Sequence, residues 1–147
     1  MKFLRLTAVI AISVLLFAGC ARQGGEMRDG YYTAEAAEFD GAGWKDFITI
    51  YVANNKIVTA ELNARNSSGF VRSWDPDYQR EKIAATGLHP SEYLRTYTAE
   101  LLSLQNPANV LVVAGAEREH KTFQLLAESA IVHAKAGDKT TAFVELP

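Results

Sequence analysis

A single cysteine, Cys20, stands in the 147 residues, so the chain can form no internal disulfide. Basic tracts are lacking too. The fifteen Lys and Arg are scattered among seventeen Asp and Glu, which excludes the electrostatic footprint of a nucleic-acid-binding domain. No apolar run reaches the roughly 20 residues that a membrane-crossing helix needs. Low-complexity tracts and internal repeats are absent as well, which argues against solenoids and long disordered tails. No Ser-His-Asp arrangement and no glycine motif of the nucleotide-hydrolase type is present. His89 and His133 have no partners at metal-ligand spacing.

What is present begins with an address. Lys2 and Arg5 precede an apolar stretch from Leu6 to Ala18, and small residues stand before Cys20. This is the layout of an export signal. Phe17-Ala18-Gly19-Cys20 resembles a bacterial lipobox, with Phe17 where Leu is usual. The expectation is therefore that residues 1–19 are removed, that Cys20 is lipidated, and that residues 20–28, rich in Gly and polar types, tether the domain of residues 29–147. That places the protein on the extracytoplasmic face of a bacterial membrane. Cleavage leaves 128 residues, enough for one domain with its own core.

Strands come first in that domain. Tyr31 to Phe39 lies between Asp29-Gly30 and Asp40-Gly41, and Phe47 to Val52 and Ile57 to Leu62 are rich in β-branched and aromatic types. Asn54-Asn55 between the last two tolerates the positive φ of a tight hairpin. Asn63 to Ser73 reads as a polar loop. Asp75-Pro76 signals a helix start, with a stop near Gly87. A second helix from Pro90 carries Leu94, Tyr97, Leu101 and Leu104 as its apolar stripe and halts at Asn106-Pro107.

The next stretch has the most character. Val110 to Val113 is an unbroken apolar run expected to form a buried strand, which turns through Gly115 into a long helix. Phe123, Leu126, Ala127, Ala130, Ile131 and Ala134 line one face of that helix, Gly137 caps it, and Thr140 to Leu146 supplies one more strand. Strands followed by helices without regular alternation give an α+β fold, an antiparallel β-sheet with helices packed on it.

The order of these motifs resembles the FMN-binding domain family over about Asp29 to Ala136. The resemblance rests on Asp29-Gly30-Tyr31-Tyr32-Thr33, on Gly43-Trp44-Lys45-Asp46 before the second strand, and on the hairpin into Lys56-Ile57-Val58. It continues with the Asn63 to Ser73 loop, the helix carrying Tyr78, and Val112-Val113-Ala114-Gly115-Ala116 before the long helix. It implies an FMN-binding-domain-like fold, FMN as cofactor, and cofactor contacts at Trp44, Ser73, Tyr78, Ala114, Gly115, Ala116, Glu117 and His120. Flavinylated members esterify a Thr through the FMN phosphate at this junction. Here Glu117 holds that position and His120 replaces a hydroxylic residue that the family often has nearby. A carboxylate forms no such phosphoester, so any flavin is expected to bind non-covalently.

Two functions follow as expectations. One is a membrane-anchored lipoprotein that binds FMN for extracytoplasmic electron transfer with a redox partner protein. The other is a flavin-free surface lipoprotein that uses the same fold for protein or envelope interaction, since Glu117 and Glu119 repel phosphate. Both are binding functions rather than enzymes: Glu117, Glu119 and His120 share one helical turn, an arrangement usual for a solvated surface.

Overall fold

A computed structural model describes residues 25–147. The export signal, Cys20 and the first part of the tether lie outside the described residues. Seven principal elements follow in order: β1 (Gly30–Ala36), β2 (Lys45–Ala53), β3 (Lys56–Arg65), α1 (Pro76–Thr86), α2 (Pro90–Leu104), α3 (Glu117–Ala136) and β4 (Ala142–Val144).

The fold is α+β, with a four-stranded sheet in the order β3-β2-β1-β4. β1, β2 and β3 form the expected antiparallel meander, with Tyr32 opposite Ile50 and Ile48 opposite Leu62. β4 joins β1 in parallel, so the complete sheet is mixed. Asn54 and Asn55 both take positive φ, 52° and 59°, as a two-residue hairpin matched to strand twist requires.

Alternation places Tyr32, Ala34, Ile48, Ile50, Val52, Ile57 and Leu62 on the buried face of the sheet. α2 and α3 cover this face. Phe123, Leu126, Ala127, Ala130 and Ala134 are fully buried along α3, and its small residues let the helix lie close to the strands. On α2 the buried stripe is Pro90, Tyr93, Tyr97 and Leu101. It is rotated from the expected one: Tyr93 takes the core position, Leu94 is only partly buried and Leu104 is exposed. α1 buries no residue fully and forms a side wall.

Val110 to Val113 is not a strand. Val110 is buried, but Leu111 and Val112 are 74% and 51% exposed. Neither side of β1 is free to receive the segment, because β2 and β4 occupy both. Its backbone is satisfied instead by helix side chains: Leu111 N–H donates to Glu100 Oε2 at 3.0 Å and Val113 N–H to Tyr97 Oη at 3.2 Å. The Asn63 to Ser73 region also differs from a simple loop. β3 runs on to Arg65, which bridges to Val71, and Asn66 Oδ1 accepts the N–H groups of Ser68 and Phe70.

Candidate functional site

A cavity of about 450 Å³ opens at one end of the sheet. The β1–β2 loop contributes Asp40, Ala42 and Trp44, and β2 contributes Asp46; β3 contributes Leu62 and Asn63; α1 and the 3₁₀ turn before it contribute Arg72, Asp75, Asp77, Tyr78, Glu81, Lys82 and Ala85. Leu94 of α2 and Arg118, Glu119 and Thr122 of α3 complete the lining. Asp40, Trp44, Asp46 and Arg118 also line a smaller neighbouring cavity of about 170 Å³ that reaches Glu145, Leu146 and Pro147.

Local chemistry fixes these side chains. Asp40 Oδ1 accepts from Ala42 N–H at 2.9 Å and from Trp44 N–H at 2.8 Å, which folds the loop and sets Trp44 half-buried at the mouth. Asp75 caps α1 by accepting from Asp77 and Tyr78 N–H, with Pro76 at the first helical position. Arg72 stacks on the Tyr78 ring at 4.9 Å and donates to Asp46 Oδ1 at 2.6 Å. Burial outweighs the attraction of Arg72 and pushes the Asp46 carboxyl above its ordinary range. Tyr78 and Tyr93 share a hydrogen bond of 2.9 Å between hydroxyls. Burial, with this bond, raises the Tyr93 phenol far above its ordinary range.

Lys82 Nζ meets Glu119 Oε1 at 2.6 Å, tying α1 to the start of α3. Arg118 forms no ion pair among the described residues and faces both cavities. Six carboxylates and three cations line the larger cavity, so an anionic ligand would need direct help from a free cation such as Arg118.

The sequence-derived residues divide into two groups. Trp44 and Tyr78 line the cavity. Ser73 does not: its hydroxyl accepts from Asn63 Nδ2 at 2.9 Å and its carbonyl from Gln79 Nε2 at 2.6 Å, so it holds the loop against β3 and α1. Ala114, Gly115 and Ala116, in the turn before α3, and Glu117 and His120, in its opening turns, do not line the cavity. Gly115 has φ +85°, and a Cβ there would lie 3.3 Å from Leu88 Cδ1. Its N–H donates to Glu117 Oε1 at 2.9 Å, so the turn is closed by its own carboxylate. Ala116 is fully buried and its carbonyl accepts from Tyr97 Oη at 3.1 Å. His120 packs 5.3 Å from Tyr97 and donates through Nε2 to the Val110 carbonyl at 2.8 Å. Ala114 is exposed.

Arg72 and Lys82 are among the lining residues that sequence reasoning misses. Arg72 sits in a stretch without periodicity, and Lys82 and Glu119 are 37 residues apart. Arg118 and Thr122 stand at i, i+4 spacing, which puts both on one face of α3 beside the core stripe.

No protein-family model matches the chain. A 15 kDa lipoprotein of Treponema pallidum is 32% identical over 111 residues, covering 76% of this chain and 79% of that protein. A crystal structure of a Clostridium perfringens protein matches with a TM-score of 0.76 at 30% identity, over 82% of this chain and 99% of the other. A solution structure of a Clostridium thermocellum protein matches with a TM-score of 0.51 at 29% identity, over 74% and 92% of the two chains.

Proposed function

The chain belongs to the family of the 15 kDa lipoprotein of Treponema pallidum, and from that footing we propose that it is a lipid-anchored membrane lipoprotein whose larger cavity binds FMN non-covalently. Anchorage through Cys20 is supported by the lipobox-like sequence and by the relative's class. Flavin binding is supported by one observation above all. The cavity of about 450 Å³ combines two aromatic walls, Trp44 and Tyr78, with Arg118 at the helix start.

That combination fits the cofactor class. Small-molecule sites occupy about 300–1,000 Å³ and are mostly apolar with a few placed polar groups. Trp44 and Tyr78 offer flat apolar faces to an isoalloxazine ring, and Arg118 offers a guanidinium to a phosphate. The cofactor, when bound, supplies the electron-transfer chemistry, and a redox partner protein in the envelope would exchange electrons with it. The chain contributes position and charge. Glu117, on the Gly115 N–H, has neither the hydroxyl nor the freedom for a phosphoester, so attachment is non-covalent.

Titration of the purified protein with FMN and with riboflavin, read by flavin fluorescence, tests this. FMN is expected to be quenched at a lower concentration than riboflavin, and Arg118→Gln is expected to remove that difference. Fluorescence of both flavins that stays unchanged at every protein concentration sinks the flavin reading. The six lining carboxylates favour a second reading, in which the same anchored fold binds a protein or envelope component without flavin. Absence of flavin binding, together with retained membrane attachment, selects it.

A further inference from the structure

The entering chain is pinned before β1 begins. Met27 N–H donates to Asn55 Oδ1 at 2.8 Å, Arg28 N–H to the Ala134 carbonyl at 2.9 Å, and Asn54 N–H to Asp29 Oδ1 at 2.8 Å. These bonds gather the incoming chain, the β2–β3 hairpin and the last turn of α3 at one pole.

The cavity occupies the other pole. β1 runs away from the entry point and turns back through the loop that carries Asp40 and Trp44, while Arg118, Glu119 and Thr122 lie in the opening turns of α3. Two elements measure the separation. α3 runs 16 residues from Ala134 at the entry pole to Arg118 at the cavity, about 24 Å at 1.5 Å each. β2 runs seven residues from Ala53 beside the hairpin to Asp46 in the cavity lining, again about 23 Å at 3.3 Å each.

We propose that the pole of Arg28, Asn54–Asn55 and Gly137 rests on the phospholipid headgroups, and that the cavity opens away from the bilayer toward the aqueous envelope. The proposal rests on anchorage at Cys20 and is independent of which ligand the cavity takes. Covalent reach is the deciding quantity. The seven residues from Cys20 to Met27 span at most about 25 Å fully extended, close to the distance between the poles. While Met27 stays bonded to Asn55, a lipid held at Cys20 therefore brings the cavity mouth face-down onto the membrane only if those residues are stretched to their limit along the domain, whereas the entry pole needs no such extension.

Charge acts in the same direction. The entry pole exposes Arg28, Lys56, Lys135 and Lys139 against Glu26, Asp29 and Asp138, whereas the cavity lining has six carboxylates and three cations. Anionic lipid attracts the first surface and repels the second. A ligand or redox partner then approaches from the aqueous side, and the bilayer does not cover the mouth.

The experiment uses full-length lipidated protein in vesicles of phosphatidylethanolamine and phosphatidylglycerol that carry a headgroup nitroxide quencher. Ala136→Cys, Ala42→Cys and Glu61→Cys, all at exposed positions, place one fluorophore at the entry pole, the cavity pole and the middle of the outer sheet face. Lipidated Cys20 leaves no competing thiol. Quenching at position 136 is expected to exceed that at position 42 by at least about twofold, given poles roughly 24 Å apart. Quenching greatest at 42 or at 61, or equal at all three, overturns the orientation. Flotation of the same samples is read in parallel: protein that does not float with the vesicles overturns the anchorage and the orientation with it.

Discussion

Glu117 Oε1 lies 2.9 Å from the backbone nitrogen of Gly115 and accepts its hydrogen bond, so α3 is closed at its start by its own first residue. The Gly115 N–H, with the helix N–H groups behind it, holds the Glu117 carboxyl below its ordinary value of 4.5. Folding therefore favours the ionised form. This contribution is complete above the unfolded pKa and is lost as pH falls through the depressed folded value. Glu117→Gln is expected to lower the thermal midpoint at pH 7 and to approach the parent protein only once the pH has fallen through the depressed folded value. A gap between the two proteins that stays constant with pH would show that Glu117 acts by shape rather than by charge.

Trp44 is held at the cavity mouth through Asp40, and its ring lies 6.5 Å from that of Phe70. Trp44→Ala removes the larger of the two aromatic walls. FMN affinity is expected to fall by at least about tenfold, equivalent to 1.4 kcal/mol, with circular dichroism unchanged. An unaltered Kd in a folded variant would remove Trp44 from the flavin contact.

Arg72 and Asp46 are paired with side chains only 12% and 14% exposed. Arg72→Met strands a carboxylate in low dielectric and is expected to cost about 3 kcal/mol in urea unfolding. Combining it with Asp46→Asn removes that charge, so the double variant is expected to recover part of the loss. Equal stability of single and double variants would argue against coupling between the two residues.

Tyr97 is a buried hub whose hydroxyl donates to the Ala116 carbonyl and accepts from Val113 N–H. Burial raises its phenol above the ordinary range, which keeps the donor proton in place. Tyr97→Phe leaves the Val113 N–H without this partner and is expected to cost about 1–2 kcal/mol. Amide exchange should quicken at Val113 specifically. Uniform exchange along the chain would instead indicate a global loss of packing.

Sequence alone determined the parts governed by neighbouring residues. Asn54-Asn55 set the hairpin because both adopt left-handed φ at small cost. Asp75-Pro76, Gly87 and Gly137 set helix ends through capping that needs no distant partner. The α3 stripe was legible from its period, since 3.6 residues per turn puts Phe123, Leu126, Ala127, Ala130 and Ala134 on one face.

Tertiary structure decided what depends on competition for space and partners. Val110 to Val113 has the composition of a strand, but β2 and β4 already occupy β1, and Tyr97 and Glu100 satisfy the segment's N–H groups. Tyr93, not Leu94, faces the core because the sheet fixes the rotation of α2 and the Tyr78 hydroxyl gives Tyr93 a polar partner. The cavity is assembled from segments far apart in the chain, joined by contacts such as Lys82 with Glu119. Local propensity carries no record of such distances, whereas the packed fold settles which side chains meet.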